Sequence, residues 1–337
     1  MGGPSKQFSW THFFPPKPQY TDQNIPKNLE GKVYVVTGAN SGMGEALAQV
    51  LYARGAKVYA ACRSEKKGTE AIAKIKKAEP KARGDLIFLH LDLADLSNVQ
   101  VAAKSFLLSE SKLHVLFNNA GVMTGPKTSP TTTAQGHELA LGVNCVGTFL
   151  FTKKLTPALV AAAKEEPAGS NAVRVVWLSS FGLETFAPEG QGIDLHNLDY
   201  HIPREPIDRY GISKAATWLL AVEYARRHKA DGIVSAAINP GNIKTELARD
   251  QGAALKLIAG AIVYPVMNGV YTQLYAGFSP EVTNEKVDWT KEWIIPWGRV
   301  APIRPDLPKA TLPADEGGNG NAQQFWEWSE QQVKDFL

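Results

Sequence analysis

A doubly wound α/β fold, with one mostly parallel sheet of seven strands and helices on both faces, is predicted by three features of the chain. Short β-branched runs alternate with helix-length segments from Lys32 onward. The first run, "KVYVVTG", stops at a glycine and leads into the helix-periodic stretch "EALAQVLYARG". Successive strands are separated by crossovers long enough to hold a helix, which requires parallel pairing. Together these features describe a Rossmann-type arrangement.

The elements follow in order. "KVYVVTG" and "AKVYAACR" flank the first helix, and a second helix spans Glu65 to Ala78. Then come the strand "DLIFLHLD", a helix from Ser97 to Glu110, the strand "HVLFNNAG", a long helix from about Gln135 to Lys164 and the strand "VRVVWLSS". An insertion over about 181–209 precedes the helix carrying Tyr210, the strand "IVSAAINPG", a helical region over about 245–278 and the short strand "WTKEWIIPWG". Residues 1–30, rich in Pro and aromatics without periodicity, read as an arm, and residues 31–298 as a single domain. Residues 299–337 read as a loop-like tail that closes on an amphipathic helix in "NAQQFWEWSEQQVKDFL".

Composition narrows the class of protein. With 337 residues, 44% hydrophobic and 20% charged, the chain can bury a large core, which argues against disorder. The net charge of +3 is scattered rather than gathered into a basic block, so nucleic acid is not expected as a partner. Cys62 and Cys145 lack C-x-x-C spacing, so neither a disulfide framework nor a metal site is expected. The N-terminus has no apolar signal region, and Lys6 stands where a myristoylation signal wants Ser or Thr. A cytoplasmic location is the expectation. The uncharged run Leu257 to Ser279 has the length of a membrane span, yet Pro265, Asn268, Thr272 and Gln273 interrupt it. Two helices broken near Tyr264-Pro265 are expected there, with no stable membrane span.

Three stretches carry chemistry. In "TGANSGMG", Gly38, Gly42 and Gly44, with Asn40, Ser41 and Met43 between them, lie between the first strand and its helix. Glycines there let the backbone approach a pyrophosphate, whose charge the helix N-terminus stabilises. The second strand ends in "ACRSEKKG", where an acidic residue would favour NAD. Arg63 and Ser64, with Lys67 one turn on, favour the 2'-phosphate of NADP(H) instead, a solvated surface arginine being the other reading. In "DRYGISKAA", Tyr210 and Lys214 are four residues apart and share one helix face, so hydroxyl and ammonium can converge.

These stretches occur in a series with Asp92 in "HLDLADL", "NNAG" at Asn118 to Gly121, Asn144 in "LGVNCVG", "VVWLSS" and "NPGNIKT". In that order, over roughly Leu29 to Pro280, the chain resembles the classical short-chain dehydrogenase/reductase family. The resemblance implies that Tyr210 is the general acid/base, its phenolate stabilised by the Lys214 ammonium and an oxidised nicotinamide. Lys214 would also hold the nicotinamide ribose. Ser180 would bind the substrate oxygen, with Ser179 as the other candidate. Asn144, at a helix kink, would hold a water that links Lys214 to solvent; a buried asparagine satisfying helix backbone is the alternative. Asp92 and Leu93 would meet the adenine, although Asp92 also suits an ordinary helix N-cap. Asn118, Ala120 and Gly121 would support the adenosine half, and Pro240, Gly241, Ile243 and Thr245 would embrace the nicotinamide and phosphates.

The family commonly pairs through the helices that begin near Gln135 and Asp208, so a homodimer is possible unless the terminal arms cap those faces. The thirty residues from Ser180 to Tyr210 include an insertion beside the catalytic pocket that is expected to shape the substrate site. That insertion and "GISKAATWLLAVEYARR" resemble the branch containing retinol dehydrogenases and protochlorophyllide reductases. Fungal members with a C-terminal "PWGR", here Pro296 to Arg299, are nearer still. The expected activity is interconversion of a ketone or aldehyde with its alcohol on a bulky hydrophobic small molecule. Alternatives are C=C reduction, cyclisation or isomerisation on the same scaffold, or a non-catalytic NADP sensor. The intact Asn144, Ser180, Tyr210 and Lys214 set argues against the sensor.

Overall fold

Strand β1 (Val33–Thr37) is buried along its whole length, which is why "VYVVT" is apolar without alternation. The computed structural model describes residues 10–125, 131–244 and 263–337. β1 pairs in parallel with β2 (Lys57–Cys62) on one side and β4 (Val115–Asn118) on the other. Helix α1 (Gly42–Ala53) makes the first crossover, and α2 (Glu65–Ala78), β3 (Asp85–His90) and α3 (Leu96–Ser109) continue the alternation. Beyond β4 lie β5 (Val173–Leu178), β6 (Ile233–Ile238), β7 (Glu292–Ile295) and β8 (Arg299–Pro302), in the spatial order β3-β2-β1-β4-β5-β6-β7-β8. The chain reverses direction across the sheet between β1 and β4, which opens a crevice at the carboxyl ends of those strands.

The sheet has eight strands, not seven. β8, placed by sequence in a loop-like tail, pairs antiparallel with β7 from Glu292–Pro302 to Ile295–Arg299. A tight turn suffices for an antiparallel return. Gly298, at φ 75°, supplies it and donates its N–H to Ile295 O at 3.0 Å.

The long central helix also differs from expectation. It begins at α4 (Leu139–Leu141), passes through a π-helical segment at Gly142–Gly147 and continues as α5 (Thr148–Glu165). Gln135 is excluded because Gly136 has φ +85° and Thr132 bridges Glu138, so the chain turns back before the helix starts. The Glu138 carboxylate then accepts from Leu141 N at 2.8 Å and caps the new start.

After β5 come α6 (Gly182–Phe186) and α7 (Pro206–His228), which starts on Pro206 and ends on Arg226, Arg227 and His228, as the helix dipole favours. Helix α8 (Val266–Phe278) begins directly after Pro265, the expected break. The rest of the helical region expected over about 245–278 lies, through residue 262, outside the described residues. Among the described residues no helix is long and apolar enough to cross a membrane.

The tail holds α9 (Pro308–Thr311) and the expected terminal helix, α10 (Asn321–Val333). Trp326 of α10 is 4.8 Å from the Phe149 ring and lies under the Arg227 guanidinium, while Lys153 pairs with Glu330. α10 therefore covers outer faces of α5 and α7. The tail also pins the insertion, through Arg304 donating to Glu184 O and Ala187 O and Asp306 accepting from Gly190 N.

Candidate active site

The crest of the sheet places the expected residues along one line. At the β1–α1 turn, Gly38 takes φ 69° and donates to Ala61 O at 2.7 Å. A Cβ on Gly44 would overlap Gly38 O, so glycine is what lets α1 close onto the turn. Ser41 precedes α1 in extended geometry and caps none of its first-turn amides with its side chain. By contrast, Ser64 accepts from Lys67 N and Asp95 from Ser97 N at the starts of α2 and α3. The N-terminus of α1 thus suits an external anion such as a cofactor diphosphate, as the glycines do.

The neighbouring strand ends reinforce this cradle. Thr37 Oγ1 accepts from Ala120 N at 2.8 Å, and Asn119 Nδ2 donates to Thr37 O at 2.8 Å. Gln273 Nε2 in turn donates to Asn119 Oδ1 at 2.8 Å. Asn119 belongs to the "NAG" turn expected to support the adenosine half, whereas Thr37 and Gln273 were missed by sequence reasoning, which had no signal for Gln273, more than a hundred and fifty residues from its partner. Asn118 is buried and donates to Thr152 Oγ1, while its Oδ1 has no hydrogen-bond partner.

Arg63 is exposed just beyond β2, with Lys67 exposed one turn on, and Ser64 caps α2. Asp92 is not the cap of α3, a place held by Asp95; its Oδ1 accepts from Ala94 N at 3.0 Å. Leu93 is buried, its carbonyl pressed against the site of a Cβ on Gly147 in the π-helical segment.

The geometry separates the two serines. Ser179 is buried and donates its hydroxyl to Lys214 O at 2.8 Å, which commits it to packing. Ser180 accepts from Gly182 N at 3.2 Å, and a Cβ on Gly182 would lie 3.6 Å from Ser180 Oγ and 3.8 Å from the Tyr210 ring, so the two side chains adjoin. Lys214 Nζ donates to Leu178 O at 2.7 Å and stands 5.7 Å from the centre of the Tyr210 ring. A Cβ on Gly121 would lie 3.0 Å from that Nζ and 3.2 Å from Asn144 Oδ1, so Gly121 leaves room for both groups.

Asn144 sits in the π-helical segment, the kink expected of it. Its side chain does not bond the helix backbone. Oδ1 accepts from Val122 N at 2.8 Å, and Nδ2 donates to Val122 O and to Ser213 Oγ.

Electrostatics in the protein alone differ from the expected phenolate. Burial pushes the Tyr210 hydroxyl up to about 12, with the neighbouring Ser180 hydroxyl acting the other way. Burial also brings the Lys214 ammonium down to about 8. Lys214 lies beside the tyrosine ring and is bonded to a carbonyl, so its charge does not offset the desolvation of a phenolate.

The third wall is the loop after β6. Asn239 Oδ1 accepts from Gly241 N at 3.0 Å, Pro240 is buried, and Gly241, at φ 82°, passes under the Trp297 ring where a Cβ would clash. Ile243 and Met43 meet at Gly269 of α8, tying this loop to α1. Thr245 lies outside the described residues.

Comparison with known proteins agrees with this architecture. A family model described as short chain dehydrogenase matches residues 32–182. A short-chain dehydrogenase/reductase of Phomopsis amygdali is 48% identical over 332 residues, 98% of this chain and 97% of the relative. One from Emericella nidulans is 45% identical over 322 residues, 95% of this chain and 98% of the relative. Among solved structures, an uncharacterised protein from Mycobacterium paratuberculosis superposes with a TM-score of 0.63 at 28% identity, covering 94% of this chain and 97% of that one. An NADPH-bound carbonyl reductase from chicken fatty liver has a TM-score of 0.53 at 24% identity, covering 76% of this chain and 92% of that one, a likeness of fold alone. The chain belongs to the short-chain dehydrogenase/reductase family of oxidoreductases, with near relatives in fungi.

Proposed function

We propose that the protein is an NADP(H)-dependent oxidoreductase that interconverts a ketone or aldehyde with its alcohol on a bulky hydrophobic small molecule. The observation that carries this reading is the Ser180 hydroxyl beside the Tyr210 ring, with Lys214 Nζ 5.7 Å from the centre of that ring, at the crest where the N-cap side chain leaves the first-turn amides of α1 unbonded. The first-turn amides of α1 and the glycines at 38, 42 and 44 would hold the diphosphate, Asp92 and Leu93 the adenine, and Arg63 with Lys67 the 2'-phosphate. A bound nicotinamide supplies the hydride in one direction and accepts it in the other.

Ser180 donates a hydrogen bond to the substrate oxygen and so stabilises charge that develops there. Tyr210, held protonated by burial, gives its proton to that oxygen as the carbonyl is reduced. Lys214 would bind the ribose and resupply the proton, and Asn144 beside it would hold a water that links Lys214 to solvent. For the alcohol-to-carbonyl direction, the positive charge of an oxidised nicotinamide would lower the phenol's pKa, which Lys214 alone does not. Phe181, Tyr264 and Trp297 near the crest favour an aromatic or apolar substrate.

Calorimetric titration with NADPH and NADH tests the cofactor assignment. NADPH is expected to bind more tightly, and Arg63→Ala to weaken it by about ten- to a hundredfold while NADH is unmoved, the effect of losing charge-assisted hydrogen bonds. Failure of the folded protein to bind either nucleotide would overturn the reading.

A further inference from the structure

We propose that the N-terminal stretch Trp10–Phe14 is a wall of the substrate site and that His12 is the positioning residue that holds it there, a reading that rests on the carbonyl chemistry assigned to Ser180 and Tyr210. The stretch is remote in sequence from everything it touches. Its short helical turn, Trp10–His12, closes over the carboxyl ends of β5, β6 and β7, the edge of an α/β sheet at which ligands bind.

At the end of β5, Phe181 directly follows Ser180. The Phe13 ring meets it edge-on at 4.7 Å between centroids, and the His12 ring lies 5.1 Å from it. At the end of β6, Asn239 Nδ2 donates to His12 Nδ1 at 3.1 Å while its Oδ1 fixes Gly241, so one asparagine holds both the arm and the loop assigned to the nicotinamide. In β7, Trp293 packs 5.8 Å from the His12 ring.

His12 is only 5% exposed, and burial lowers its pKa to about 4. The neutral ring can therefore accept at Nδ1, which leaves Nε2–H facing the Glu184 carboxylate of α6 at 3.7 Å.

Two further contacts grip the arm by its backbone rather than its rings. Arg299 donates to Thr11 O at 3.1 Å and to Pro296 O, and Tyr264 donates its hydroxyl to Phe13 O at 2.9 Å. This gives the Pro296 to Arg299 stretch a purpose: it folds Arg299 into a clamp on the arm, and its Trp297 ring stacks edge-on against Tyr264 at 4.9 Å. With the main chain held, the side chains are set as surfaces. Phe13 and Phe181 form an aromatic pair at the end of β5, the strand that leads into Ser180, and Trp10 and Phe14, 68% and 54% exposed, pair with each other beside it. Such a surface fits a flat aromatic or polycyclic carbonyl compound and gives a small aliphatic ketone little to pack against.

The test uses the full chain with NADP(H), phenanthrenequinone as the flat probe and cyclohexanone as the small one. For His12→Ala and Phe13→Ala, the KM for phenanthrenequinone, and its dissociation constant measured calorimetrically in the presence of NADP+, should rise by about tenfold or more. The kcat, the cyclohexanone KM and the NADPH dissociation constant should stay within about twofold. His12→Gln, which keeps an acceptor for Asn239, should recover most of the affinity, a rescue that general destabilisation would not show. The proposal is overturned if the variants bind phenanthrenequinone as the parent does, if the parent does not bind it, or if NADPH affinity falls in parallel. Arm-dependent binding without any NADPH oxidation would instead sink the carbonyl reading and leave the wall in place.

Discussion

The two halves of the crest are built differently. On the β1–β4 side, the cradle's key contacts join the ends of two strands that pair in the sheet, Thr37 of β1 with Ala120 and Asn119 just beyond β4. On the β5–β8 side, His12 meets Asn239 and Arg299 meets Thr11 across more than two hundred residues of chain. The first half is held together by paired strands of the sheet, which any chain with this topology brings together. The second is a tertiary solution to a variable problem, enclosing a particular substrate.

If that contrast is right, the two halves should fail in different ways. The largest effect falls on the cradle. Gly44→Ala places a methyl against Gly38 O and the Asn119 side chain, forcing α1 off the turn at a cost of about 1–3 kcal/mol. NADPH affinity should drop by about ten- to a hundredfold, read by calorimetry, with substrate selectivity unchanged.

The substrate half should respond to pH, and more gently. Burial raises Glu184 to about 7, with Arg304 acting against the shift and Asp306 with it. Burial lowers His12 to about 4, and the Arg299 charge adds to that. The fold favours protonated Glu184, so that contribution is complete below the ordinary value of 4.5 and is lost as pH rises through about 7. It favours neutral His12, a contribution complete above 6.5 and lost as pH falls through about 4. Docking of the arm on α6 should therefore be firmest between these limits. In Glu184→Gln, the fall in Tm between about pH 6 and pH 8 should be smaller than in the parent by about 2–4 °C, checked by calorimetric melting. An equal fall in both proteins would detach Glu184 from the arm's stability.

What the sequence disclosed follows the same division. The helix from Glu65 to Ala78 was legible to the residue because its stop and start signals are local, with Ser64 as the cap. The glycine turn and the tyrosine–lysine pair were legible because short spacing sets their geometry, and the kink at Asn144 through the family resemblance alone. The serine doublet was not. Neighbouring residues leaving a strand point opposite ways, and only the structure shows that Ser179 turns to the Lys214 carbonyl while Ser180 lies beside the Tyr210 ring. β8 escaped notice because four residues in a Pro-rich tail become a strand only when β7 offers a free edge. The start of the central helix was misplaced because periodicity ran through Gly136, where the backbone turns left-handed. The placement of the arm had no local signal at all.

Cradle and substrate wall converge on one proton donor, Tyr210. The most direct measurement is kcat/KM for NADPH-dependent reduction of phenanthrenequinone by the parent and by Tyr210→Phe, alongside the NADPH dissociation constant of each. A fall in kcat/KM of about 10²- to 10⁴-fold is expected, with the dissociation constant within about twofold, because the hydroxyl acts in proton transfer and the ring still packs. Turnover within a few-fold of the parent would contradict it.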